Sequence, residues 1–351
     1  MSKIKVAILG ATGAVGQRFV QLLEHHPWFE VTALTGSDRT VGGLYGEGVR
    51  WVLAGSVPEY ARGLRVLPTE PGFDAQLAFS ALPAEIARTA EPALAAAGYA
   101  VCSNASSHRM WADVPLLIPE VNPDHTGLIE RQRRERGWPG FIVTNPNCTS
   151  TGLTIALRAL HDAYQLRRGF IVSLQALSGA GYPGVASLDA VDNVVPYIGG
   201  EEEKVELEPR KMLGQFNGGA VELAGFQLSA HTNRVAVTDG HVVCASLEFA
   251  QAPAPEAAVE TLTRFQAPAV VRGLPSSPAP VIAVRAEADR PQPRRDRDAG
   301  RGMTTVVGRV RPDPLFHLKL VVLSHNTIRG AAGGAILNGE LLAAQGFLGA
   351  R

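Results

Sequence analysis

Residues 10–16 read Gly-Ala-Thr-Gly-Ala-Val-Gly, and they follow directly on a short extended apolar run, Lys3–Leu9. After them, Ala14–His26 carries Val15, Phe19, Leu22 and Leu23 at helical spacing, Pro27 ends the pattern, and Phe29–Leu34 reads as a strand. A strand, a glycine turn, a helix and a second strand make a β-α-β unit. Further units follow: strand Gln76–Phe79, helix Pro83–Ala97, strand Tyr99–Cys102. Strands alternating with helices imply a parallel, doubly wound sheet. The glycines, spaced G-x-x-G-x-x-G, let backbone N–H groups approach a pyrophosphate, and the helix N-terminus favours its charge. Such a turn means little alone; at the head of a β-α-β unit it points to a dinucleotide site at Gly10, Thr12, Gly13, Ala14 and Val15.

The end of the second strand bears on the cofactor type. NAD sites usually place an acidic residue there for the ribose 2′-hydroxyl. Here the run is Thr35-Gly36-Ser37-Asp38-Arg39-Thr40. Ser37 and Arg39 suit a 2′-phosphate, which favours NADP, with Asp38 expected to point away. Ser80 and Leu82 lie at the end of the Gln76–Phe79 strand, where a cofactor would pass.

The second informative run is Asn145-Pro146-Asn147-Cys148-Thr149, between a strand at Phe141–Thr144 and a helix at about Thr149–Tyr164. Pro146 suits the turn, since it has no N–H to donate. Cys148 then lies where the free N–H groups and positive end of the helix dipole point, a setting that eases loss of the thiol proton. These residues alone serve a buried structural cysteine equally well. Cys102 and Cys244, the only other cysteines, sit in apolar strand-like runs and read as packing residues. An odd count without C-x-x-C reads as cytosolic thiols, not as disulfides or a zinc site, and no metal is expected.

At 351 residues two domains are expected, and 46% apolar residues supply their cores. Lys+Arg 33 against Asp+Glu 33 leaves no net charge for a nucleic acid or an anionic membrane. No apolar run reaches the roughly 18–20 residues that span a bilayer. Beyond Cys148 the texture changes to longer alternating segments: Phe170–Leu177, Arg234–Val237 and His241–Phe249, with a helix at Glu256–Phe265. These suggest a second domain on a mixed or antiparallel sheet. Ala286–Arg301 is polar and Pro-containing and reads as a solvated loop, and Arg329–Gly346 as a helix rich in small residues.

A thiol beside a nicotinamide suggests aldehyde oxidation through a thioester, or its reverse. That chemistry needs a proton-transfer group, a group to fix the carbonyl, and anion holders. His241, with a near-neutral pKa, Gln175 late in its strand, the cations Arg109, Lys204 and Arg234, and Glu201 as a partner for an ammonium are candidates. Each residue type is more often solvated or structural, and spacing alone does not assemble them.

Ordered motifs do. GATGAVG at 10–16 is followed by SNASSHRM at 103–110, PLLIPEVNPDH at 115–125, NPNCTSTG at 145–152, SLQALSGAGYPG at 173–184, GGEEEKVE at 199–206, DGH at 239–241 and SHNTIRGAAGGAILNGELL at 324–342. With these the chain resembles the aspartate-β-semialdehyde dehydrogenase family, in its archaeal and fungal form, over nearly its full length. The resemblance implies an α/β fold: a Rossmann-like NADP-binding domain, 1–147 completed by a C-terminal helix 326–351, and an α+β catalytic and oligomerisation domain, 148–325, with a mixed sheet. It implies Cys148 as nucleophile, His241 as acid/base and Gln175 orienting the thioester. Arg109, Asn147 and Lys204 would hold phosphate, Arg234 the substrate α-carboxylate and Glu201 its amino group. Gly10 to Val15, Ser37, Arg39, Ser178, Gly179 and Asn326 match cofactor-contacting positions.

The implied reaction is NADPH-dependent conversion of L-β-aspartyl phosphate to L-aspartate 4-semialdehyde, in lysine, threonine, methionine and isoleucine biosynthesis, by a cytoplasmic homodimer or homotetramer. Two alternatives stand beside it: a malonyl-CoA (acyl-CoA) reductase, and a non-catalytic NADP-binding regulator. Glu201 argues against the first, since a malonyl group has no ammonium, and the Cys148, Gln175 and His241 set argues against the second. One consequence is direct: Arg39→Ala should weaken NADP far more than NAD, because NAD lacks the 2′-phosphate that a guanidinium grips. The KM values for both cofactors check this, and a wild type that already prefers NAD would mean that Asp38 faces the ribose.

Overall fold

In the computed structural model, residues 3–348 are described; 1–2 and 349–351, the extreme ends of the domain bounds given above, lie outside them. The first half forms a parallel sheet from β1 (Ile4–Leu9), β2 (Phe29–Thr35), β3 (Val66–Leu67), β4 (Leu77–Ser80), β5 (Ala100–Ser103) and β6 (Phe141–Thr144), in the order β3-β2-β1-β4-β5-β6. β4, β5 and β6 are buried at every position, as parallel strands covered on both faces must be. Helix α1 (Ala14–Leu22) and the C-terminal helix cover one face, and α2 (Ala84–Ala96) covers the other. Gly16 explains how closely α1 sits on β1: a Cβ there would lie 2.1 Å from the Gly10 carbonyl oxygen. The expected strands and helices of this half are present, with ends shifted by a few residues. Helix α3 (Leu128–Arg136) is an addition, its arginine-rich run carrying no clear apolar period.

The second half forms a mixed sheet from β7 (Leu166–Gln175), β10 (Gln227–Arg234), β11 (His241–Phe249), β12 (Ile282–Arg285), β13 (Thr305–Pro312) and β14 (Leu318–Ser324), with a small hairpin of β8 (Gln215–Phe216) and β9 (Val221–Glu222). Its order is β10-β7-β11-β14-β13-β12, parallel only at β10/β7 and β12/β13. One face packs on α4 (Cys148–Tyr164), α5 (Glu201–Met212) and α6 (Pro255–Arg264); residues of the other point outward, among them Phe170, His231 and Cys244. Cys244 is therefore an outward residue and not the packing residue that its apolar run suggests.

Three other expectations are corrected. The strand placed at Arg234–Val237 ends at Arg234 and begins at Gln227, because Gln227, Ser229 and His231 take the open face and hide the alternation. The strand placed at Phe170–Leu177 runs from Leu166 to Gln175. The segment 286–301 is not a solvated loop throughout. Asp296 is 1% exposed and accepts hydrogen bonds from Arg285, Arg290 and the Gln292 N–H, so the polar run folds around a buried carboxylate.

The C-terminal segment is also divided. Ile328–Ala332 is one π-helical turn, and α7 (Gly333–Ala344) follows. α7 is buried at all positions from Gly333 to Leu342, and small residues make that possible: a Cβ at Gly339 would lie 2.9 Å from Leu77. Arg329 in the π turn is fully buried on Glu120, at 2.7 Å.

Asp296→Ala should lower stability by about 2 kcal/mol, since two arginines lose a buried carboxylate, with a discount for their partial exposure. The thermal unfolding midpoint measures it. An unchanged midpoint would show the segment to be as dispensable as a solvated loop.

Candidate functional site

The end of β6 leads into Asn145-Pro146-Asn147, and α4 starts at Cys148 itself, one residue earlier than the sequence suggests. Asn147 is the N-cap: its side-chain Oδ1 accepts from the Thr149 and Ser150 N–H groups at 2.9 and 3.2 Å. Its Nδ2 donates to Glu201 Oε2 at 2.7 Å, and its backbone N–H to Glu208 Oε2 at 2.6 Å. Both carboxylates belong to α5. Cys148 Sγ faces His241 Nε2 at 3.2 Å, from the first residue of β11.

The other candidates arrive from strand ends. β10 and β7 pair Arg234 with Gln175 in register. Arg234 donates from Nη1 to the Ala176 carbonyl at 2.7 Å, and Gln175 Nε2 reaches Glu201 Oε2 at 3.4 Å. Lys204 pairs with Glu201 Oε1 at 2.8 Å. Arg109 comes from the arm between β5 and β6 and donates to Glu208 Oε1 at 2.9 Å and to the Asn104 carbonyl at 2.7 Å. Asn326 ties the walls together, accepting from the Gly240 N–H and donating to Ser178 Oγ, each at 2.8 Å. Gly330 of the π turn lies against Cys148, where a Cβ would come within 2.7 Å of the cysteine Cβ.

One cleft of about 570 Å³ joins most of these groups. It is lined by Gly13, Ala14, Val15 and Leu82, by Arg109, Asn147, Glu201, Lys204 and Arg234, and by Cys148, Ser178, Gly179 and Asn326. Gln175 and His241 stand behind the thiol, each 1% exposed. Ser80 is fully buried beneath the floor, its carbonyl accepting from Asn104. Gly10 and Thr12 shape the glycine turn from within, and Ser37, Asp38 and Arg39 stand exposed past the end of β2. Asn104, Thr327 and Gly330 also line the cleft. Sequence reasoning missed their roles, although all three lie inside runs it singled out, SNASSHRM and SHNTIRG.

The electrostatics reverse two expectations. Burial, then the charge of Glu201, pushes the Cys148 thiol up to about 12, against the opposing pull of Arg109, Arg234 and the Thr149 N–H. The helix start is present, but desolvation outweighs it. Burial, then Arg234 and His325, pushes His241 down to about 3, far from neutral. Burial thus favours the uncharged form of both thiol and imidazole. The tautomer follows from geometry: Nδ1 accepts the Ala176 N–H at 3.0 Å, so Nε2 carries the ring proton and points it at sulfur. Glu201 stays ionised: burial opposes it, but Lys204, Asn147 and Gln175 outweigh that and hold its carboxyl below the usual range.

Such a site can generate a sulfur nucleophile, stabilise charge on that sulfur, and hold a small ligand by an anion grip at Arg109, Lys204 and Arg234 and a cation grip at Glu201. Residues 5–129 match the model of the semialdehyde dehydrogenase NAD binding domain, and 157–329 that of the semialdehyde dehydrogenase dimerisation domain. An aspartate-semialdehyde dehydrogenase of Archaeoglobus fulgidus is 53% identical over 97% of this chain and 98% of its own length. That of Schizosaccharomyces pombe is 42% identical over 98% and 99%. A crystal structure of the Candida albicans aspartate semialdehyde dehydrogenase with NADP superposes with a TM-score of 0.90, at 40% identity, covering 98% of this chain and 99% of that one.

Removing the charge on Glu201 should make the thiol easier to ionise. Glu201→Gln should therefore raise the rate of Cys148 alkylation by iodoacetamide at pH 7.5 by roughly three- to tenfold, the effect of one nearby charge in a partly screened site. Peptide mapping reads the rate at Cys148. An unchanged or slower rate would show that the carboxylate does not hold the thiol protonated.

Proposed function

This chain belongs to the aspartate-semialdehyde dehydrogenase family, and from that premise we propose that it converts L-β-aspartyl phosphate and NADPH to L-aspartate 4-semialdehyde, phosphate and NADP, reversibly, in the biosynthesis of lysine, threonine, methionine and isoleucine. The observation that carries the reading is the 3.2 Å contact of Cys148 Sγ with His241 Nε2, placed between a glycine turn and a cluster of arginines, lysine and glutamate.

The glycine turn fits a dinucleotide. Gly13, Ala14 and Val15 open onto the cleft at the start of α1, and nothing lies within 3.7 Å of a Cβ built at Gly13. Gly10, Thr12, Gly13, Ala14 and Val15 would take the pyrophosphate and Ser37 with Arg39 the 2′-phosphate, with Leu82, Ser178, Gly179 and Asn326 along the path to the thiol. Bound there, the cofactor supplies hydride or accepts it.

The rest is the work of side chains. Arg234 takes the substrate α-carboxylate in a two-pronged grip and Glu201 takes its ammonium. Arg109 and Lys204 meet the phosphate, beside Asn147, which lines the same wall. Cys148 sulfur attacks the acyl carbon, the bond from that carbon to the phosphate oxygen breaks, and the thiol proton leaves with the phosphate. This yields a thioester, oriented by Gln175. After reduction the tetrahedral adduct collapses, the carbon–sulfur bond breaks with its electron pair going to sulfur, the Nε2–H of His241 stabilises that thiolate, and a proton from solvent restores the thiol.

Residues 1–147 with 326–351 make up the cofactor domain in this reading and 148–325 the catalytic and assembly domain. The assembly is a homodimer or homotetramer, for which the outward face of the mixed sheet, with Phe170 and His231, is a suitable contact surface. A cytoplasmic setting accords with the three free thiols.

The deciding assay is phosphate-dependent NADP reduction with aspartate semialdehyde, run beside malonyl-CoA with NADPH. The first should proceed and the second should not; the reverse result would make the chain an acyl-CoA reductase. His241→Asn should lower kcat by roughly 10²–10³, the range for losing one donor that stabilises developing charge, with little change in cofactor affinity. An unmoved kcat with lower thermal stability would make this histidine a structural one.

A further inference from the structure

Arg109 sits on an arm, residues 104–115, that carries no helix or strand and is held by side chains, His108 on Glu91 and Asp113 on Arg136, each at 2.9 Å, among them. Helix α5 holds it from two positions. Glu208 binds the Arg109 guanidinium at 2.9 Å. One turn further on, Lys211 is 4% exposed, and its Nζ donates to the carbonyls of Arg109, Trp111 and Val114 at 2.7, 2.7 and 2.8 Å. An ammonium has three N–H donors, and three carbonyls of one arm take them all. Among the described residues no carboxylate lies within salt-bridge distance of it. The charged and titratable groups facing it are Asp113 and Arg109 on the arm, Arg136 of α3 on Asp113, His125 in the turn at Pro123–Gly127, and Glu208 on its own helix.

We propose that Lys211 is a positioning residue for the phosphate group: by gripping the arm at three carbonyls it sets the phosphate affinity of Arg109 without touching substrate. This rests on the reading of Arg109 as a phosphate ligand. The hold depends on charge, because a neutral amine has only two N–H groups for three buried carbonyls. Burial lowers Lys211 to about 8, with Asp113 and Glu208 acting in the opposite sense. The grip is therefore complete below that pH and is lost as pH rises through it.

The test is the KM for inorganic phosphate in the oxidative direction. Lys211→Met, similar in length but without donors, should raise that KM by about tenfold, the loss expected when charged hydrogen bonds to the arm go. The change should fall on phosphate KM and not on kcat or on the KM values for semialdehyde and NADP. In the wild type, phosphate KM should climb between pH 7.5 and 9, where phosphate itself is already a dianion, and in K211M that climb should vanish. A phosphate KM unchanged in K211M overturns the proposal, whatever happens to thermal stability, because a plain structural brace would give that result. Should K211M fail to fold, the wild-type profile decides, and a flat phosphate KM through pH 8 overturns it. Arg109→Leu separates the two levels: if phosphate KM ignores that change, the assignment of Arg109 is what fails.

Discussion

The start of the Cys148–Tyr164 helix is the constraint on which the rest depends. Of four consecutive residues there, three are each tied to a different part of the molecule. Asn145 binds Asn104 on the arm that carries Arg109 and the Ala331 carbonyl of the π turn. Pro146 forces the turn. Asn147 caps the helix, a contribution of about 1 kcal/mol, and is itself held by Glu201 and Glu208. Cys148 then meets His241. A single helix start thereby sets the relative places of the two sheets, the arm and the C-terminal segment, and the thiol stands where they meet.

Two of the three cations of the cleft are paired within the protein. Glu201 is paired with Lys204 and Arg109 with Glu208. The Arg234 guanidinium donates to the Ala176 carbonyl and has no carboxylate partner among the described residues, and so keeps capacity for one. On the proposed reading, a ligand with an ammonium, a carboxylate and a phosphate would exchange these internal pairs for its own, and specificity would come from matching all three. The uncharged thiol and imidazole fit the same logic. Burial makes a free thiolate costly, and the fixed Nε2–H stabilises the sulfur anion only when chemistry creates it.

What was legible in the sequence was local. The glycine turn, the first β-α-β unit and the cysteine at a helix start each follow from a few adjacent residues. The convergence of Gln175, Arg234 and His241 does not, because it depends on strand pairing across long separations; only the ordered motifs gave it away. Asp296 and Lys211 stayed hidden for a common reason. Charged residues in polar runs are normally solvated, and nothing in RPQPRRDRD or EEEKVELEPRKM distinguishes the buried charges from their exposed neighbours. The sign of the Cys148 shift was misread because the helix N-terminus is visible in sequence, whereas the depth of burial is not.

The central claim is that Cys148 carries the acyl group. Mixing the enzyme with β-aspartyl phosphate in the absence of NADPH, quenching in acid and measuring the intact and peptide masses tests it most directly. One aspartyl group should appear on the Cys148 peptide for each phosphate released. Phosphate release that requires NADPH, or an adduct on any other residue, would contradict it.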